Sequence, residues 1–134
     1  MPAKFPWWVS AIVVFGAVLM AAGAAIALVN PRMLVSSTAE IGDAVRVYAG
    51  YLVSRNLVLA AMLLGALLSR ANATLHTLLI VVGFVQFADA VLDAFEGRWS
   101  IVPGVFILGC LLLLAASRVS RAAFWKREAW APTN

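Results

Sequence analysis

Arg55, Asp89 and Asp93 are ionisable side chains set within long apolar stretches of the sequence. Gln86, Asp89 and Asp93 follow one another at +3 and +4, the spacing that lines side chains along one face of a helix. Tyr48, Tyr51 and Arg55 repeat that spacing, with Asn56 beside them. Two polar stripes on neighbouring helices are expected to face each other. An isolated charge at the bilayer centre costs about 2.5–3.5 kcal/mol on insertion scales. Leaving a guanidinium and two carboxylates on separate lipid-facing surfaces incurs that penalty several times, and pairing them inside a bundle avoids most of it.

One deep arginine opposite two aspartates leaves a carboxyl that must take a proton, a cation, water or a ligand. Arginine stays charged, so the adjustable proton belongs to Asp89 or Asp93, the candidate catalytic groups. Arg55 is the candidate anchor for a polar or anionic ligand group, with Asn56, Tyr48, Tyr51 and Gln86 setting orientation. The competing reading is structural. A buried ion pair can fix which helices pack together, with Tyr48, Asn56 and Gln86 as interhelical hydrogen bonders.

The elements that must position these groups follow from composition. Of 134 residues, 64% are hydrophobic and 12% charged, whereas a soluble domain is about half apolar and about a quarter charged. So short a chain has too little interior to hide that surface, which leaves the membrane class. Four apolar runs of spanning length lie at about 7–29, 45–68, 74–95 and 100–117, given the ~20 residues a spanning helix needs. They fill most of residues 1–134, so an all-α, four-helix transmembrane bundle forming a single domain is expected. The runs are continuous, without the alternation of a barrel strand. The first run is too long for a typical signal-peptide apolar region of ~7–15 residues. Arg55 lies ten residues beyond Val45, hence ~15 Å into span two. Asp89 lies six residues before Phe95, hence ~9 Å deep in span three.

Asn30-Pro31 stops the first helix. Ser36, Ser37 and Thr38 ahead of Glu40 form a capping signal, which predicts a short amphipathic helix at the membrane surface before Asp43. One side of the membrane receives Lys4, Arg70, Arg118, Arg121, Lys126 and Arg127, the other Arg32, Arg46 and Arg98 mixed with Glu40, Asp43 and Glu96. The positive-inside rule puts both termini in the cytoplasm, and a multi-pass protein of the plasma membrane is expected. The five tryptophans fall near span ends, and the basic aromatic tail suits anionic lipid. Gly16, Ala17, Ala21 and Gly23 in span one, and Gly50, Ser54, Ala61 and Gly65 in span two, permit close packing within the monomer or a homodimer seam. His76 is expected at the interface and Cys110 buried among leucines. With no second histidine or cysteine pair, neither a metal nor a cofactor is expected. The net charge of +4 is assigned to topology and lipid rather than nucleic acid.

The Asn-Pro after span one, the run Val45 to Asn56 with Gly50 and Arg55, and the aspartate late in span three resemble small four-helix membrane proteins grouped loosely with DoxX-like proteins. Their Gly-x-x-x-Arg element is one residue longer here. The resemblance covers about residues 30–115 and implies a four-helix bundle with Arg55 and Asp89 as the positions of interest. It carries no agreed activity.

The functional expectation is binding of a small, largely apolar or amphipathic molecule in a polar pocket between spans two and three, opening to the non-cytoplasmic half. The alternatives are an acid-base isomerase or cyclase using Asp89, a proton-coupled transporter acting as a dimer, and an accessory subunit of a membrane complex.

Overall fold

The computed structural model of the chain describes residues 5–35 and 40–130. They form four helices: α1 (Trp7–Val29), α2 (Asp43–Leu68), α3 (Asn72–Phe95) and α4 (Val102–Ser120). Each is long and apolar enough to cross a membrane. The helix ends lie within two or three residues of the sequence-based spans.

Local chemistry explains where each helix stops. Pro31 opens a 3₁₀ turn, Pro31–Leu34, because its ring cannot continue α1. The capping signal at Ser36 to Thr38 lies outside the described residues. Glu40 to Gly42 is not helical, and α2 begins at Asp43. Two glycine-type caps shape the tight connections. After α2, Arg70 takes the left-handed conformation at φ 54°, with Ala71 N–H donating to Ala66 O at 3.0 Å and Arg70 N–H to Leu67 O at 3.2 Å. After α3, Gly97 at φ 73° repeats the motif, with Arg98 N–H donating to Asp93 O at 2.8 Å and Gly97 N–H to Ala94 O at 3.1 Å. These 6→1 and 5→2 bonds satisfy carbonyls that a helix end leaves free.

The helices pack as two close pairs, α1 with α2 and α3 with α4, while α2 meets α3 and α1 meets α4 over fewer positions. Val9, Val13, Leu63, Leu75, Leu79, Val82 and Leu112 are fully buried at the centre. Two glycines missed in the sequence set the α3–α4 approach. A Cβ on Gly109 would lie 2.8 Å from Phe87 Cε1 and 3.1 Å from the Gly83 carbonyl oxygen, and one on Gly83 would lie 3.0 Å from Leu113 Cδ2. Gly16 and Ala17 do face the core, but Gly50, Ser54, Ala61 and Gly65 all lie on the outer face of α2 and take no part in packing within the chain. Val18, Val58, Val91 and Phe106 are also outward and exposed. Apolar outer faces on all four helices suit hydrocarbon, whereas in water they would form patches far larger than a soluble monomer carries.

Candidate functional site

Arg55 of α2 and Asp89 of α3 face each other. Nη1 donates to Oδ1 at 3.2 Å and Nη2 to Oδ2 at 2.9 Å, the two-pronged geometry that makes arginine–carboxylate contacts strong. The antiparallel turn at Ser69–Ala71 puts α2 and α3 side by side, which lets residues 34 apart in sequence meet. Arg55 Nε also donates to Asn56 Oδ1 at 3.4 Å. Asn56 is buried against α1, where Gly23 leaves it room: a Cβ there would lie 3.4 Å from Asn56 Nδ2. The pair is partly open, with 37% of the Arg55 side chain and 25% of that of Asp89 exposed.

Asp93 does not join them as a surplus carboxyl. It is buried and ion-paired with Arg98. The sequence reading counted Arg98 among loop charges. The Gly97 turn reverses the chain at the end of α3 and returns the next side chain over the last helical turn. The signal for this was Asp93 followed by Gly97-Arg98. Two guanidiniums therefore face two carboxylates, and the expected charge imbalance is corrected to balance. Arg98 Nε is buried without a hydrogen-bond partner among the described residues.

Two cavities meet at this point. A smaller one, about 180 Å³, is lined by Tyr48, Arg55, Asn56, Asp89, Asp93 and Arg98, among others. A larger one, about 600 Å³, is walled by apolar residues, including Phe15 and Leu19 of α1 and Ile107, Leu108 and Leu111 of α4. Asn56, Gln86 and Asp89 line both. The polar floor comes from α2 and α3, the helices expected to form the pocket, and the apolar walls come from α1 and α4. Those helices carry no polar stripe, so nothing in their sequences marked the cavity side.

Among the expected orienting residues, Gln86 is 9% exposed and sits at the junction, and Tyr48 is half-exposed along the smaller cavity. Tyr51 is 73% exposed and lines neither cavity. The buried face of α2 runs through Ala49, Asn56, Ala60 and Leu63. At roughly 100° per residue, Tyr51 falls on the far side of the helix. His76, near the start of α3, is buried within the bundle. It is 3% exposed, with Nδ1 3.0 Å from the Ala116 carbonyl oxygen and the Trp130 ring edge-on at 5.1 Å. That bond requires the proton on Nδ1, because a carbonyl only accepts. Among the described residues no three His, Cys, Asp or Glu side chains are placed to hold a metal ion.

Comparison with family models, curated proteins and solved structures finds no match to the chain.

Proposed function

We propose that the chain is an integral membrane protein that binds a small, largely apolar or amphipathic molecule. The polar end of the ligand lies beside Arg55, Asp89, Asn56 and Gln86, and its apolar part lies in the cavity between α1 and α4. One observation carries the reading: a small cavity lined in part by charged groups and a large apolar one share a wall at Asn56, Gln86 and Asp89. Both volumes together fall in the ordinary range for small-molecule sites, about 300–1,000 Å³. In this reading both termini are cytoplasmic, on the loop charge count, and the chain is a multi-pass protein of the plasma membrane. Kinship with DoxX-like proteins belongs to the same reading and rests on the Gly50 to Arg55 element.

A second reading is favoured by the Asp93–Arg98 pair. With each carboxylate matched to an arginine, the charges can serve a scaffold alone: Arg55–Asp89 ties α2 to α3 and Asp93–Arg98 fixes the turn after α3. The same pairing removes the argument for a spare proton group, on which the isomerase and proton-coupled transporter readings depended.

Asp89→Asn separates pocket from scaffold. The amide is nearly the same shape but leaves Arg55 unneutralised. Thermal unfolding in detergent and ligand mass retained per folded molecule are measured on the same sample. The pocket reading expects retention to fall severalfold among molecules that remain folded. Lost stability with unchanged retention supports the scaffold.

A further inference from the structure

The last turn of α4 carries a separate cavity. Arg121 ends the helix in the left-handed conformation at φ 59°, and the chain folds back so that Phe124 N–H donates to Ser117 Oγ at 3.3 Å. The returning segment is fixed by ring contacts: Phe124 lies edge-on to Phe84 at 6.1 Å and to Trp125 at 4.9 Å. Trp130 Nε1–H donates to Phe124 O at 2.8 Å and holds the segment closed. Between this segment and the outer face of α4 lies a groove of about 680 Å³. Cys110, expected to be buried, is partly exposed along its wall.

The groove is graded along its length. Cys110, Leu114, Arg118 and Arg121 follow at +4, +4 and +3 and line it, so one helix face is apolar at depth and cationic at its end. Cys110 to Arg118 spans ~12 Å of helix rise. Both arginines are exposed, and neither is in an ion pair with a described residue, those pairs being Arg55–Asp89 and Arg98–Asp93. Among the described residues, no acidic side chain lines the groove.

We propose that this groove holds a bilayer phospholipid with an anionic headgroup. Its phosphate lies against Arg118 and Arg121, and one acyl chain lies between α4 and the Phe124–Trp125 segment. Guanidinium forks match phosphate oxygens two at a time. A choline or ethanolamine cation would meet two arginines and no carboxylate, so the site discriminates by headgroup charge. The grading fits a molecule whose apolar part points toward the bilayer centre and whose charge sits at the surface. This site is independent of the Arg55–Asp89 pocket.

Trp125 reports occupancy directly. The full chain is placed in phosphatidylcholine vesicles containing a small fraction of brominated phosphatidylglycerol or brominated phosphatidylcholine. The quenching due to Trp125 is the difference between this protein and Trp125→Phe. Juxtamembrane cations favour anionic lipid by roughly fivefold each, so half-maximal quenching by the phosphatidylglycerol is expected at a roughly tenfold lower fraction or less. Arg118→Gln with Arg121→Gln should bring the two lipids together, and circular dichroism shows whether that variant keeps its helices. Leu114→Trp, read with Trp125→Phe as its reference, should block the acyl position and weaken quenching of Trp125 by both lipids. Equal quenching by the two lipids in the unaltered protein overturns the proposal. So does a preference that survives loss of both arginines.

Discussion

The Arg55 guanidinium holds the Asp89 carboxylate through two N–H···O contacts of 3.2 and 2.9 Å across α2 and α3. This is the strongest polar link between those helices, which otherwise meet over few positions. Arg55→Ala leaves a carboxylate without its partner. Hydrogen bonds to charged groups contribute about 1.5–3 kcal/mol. Unfolding in detergent should show a loss of about 2 kcal/mol, and Asp89→Ala combined with Arg55→Ala should cost less than the sum of the two single changes.

Gly97→Ala should act on Asp93 without touching it. The position has φ 73°, and left-handed backbone costs an L-residue about 1–2 kcal/mol. The expected result is a stability loss of that size. Arg98→Met should lose the Asp93 ion pair while leaving the turn intact, so Gly97→Ala in the Arg98→Met background measures backbone strain alone.

The two glycine classes should separate cleanly. Gly109→Ala forces a Cβ to 2.8 Å from Phe87 and 3.1 Å from the Gly83 carbonyl oxygen, so α3 and α4 must move apart. Overpacking of this kind costs about 1–3 kcal/mol. Gly65→Ala meets nothing within 4 Å and should be neutral or stabilising by about 0.5–1 kcal/mol, as glycine is a poor residue in a helix interior. Thermal unfolding of both variants in one detergent tests the contrast.

These cases also mark what the sequence makes legible. Long, mostly apolar runs identify four helices, because a spanning helix needs ~20 predominantly apolar residues. The +3/+4 spacing places Gln86, Asp89 and Asp93 on one side of α3, because polar residues are rare enough there to define a stripe. Arg98 was hidden because its position depends on one left-handed glycine. Tyr51 was misplaced because small residues such as Ala49 and Ala60, rather than polar ones, set the buried face of α2. The apolar cavity walls were invisible because α1 and α4 are hydrophobic on every side.

Topology rests on the loop charge count. In a Cys110→Ala background, a membrane-impermeant thiol reagent added outside intact cells should modify Ser37→Cys and spare Asn134→Cys. The reverse pattern would invert the orientation proposed here.

A ligand between α1 and α4 should be displaced when its cavity is filled. Gly104 lines that cavity, and a Cβ there meets nothing within 4 Å, so Gly104→Trp puts an indole into open space. Gly65→Trp is the matched control on the outer face of α2. Intact-mass spectrometry of each protein, released from detergent under non-denaturing conditions, reads the bound small molecule. One discrete additional mass is expected on the unaltered protein and on Gly65→Trp, with its loss from Gly104→Trp. The absence of any such mass on the unaltered protein, or its full retention by Gly104→Trp, would contradict a ligand in this cavity.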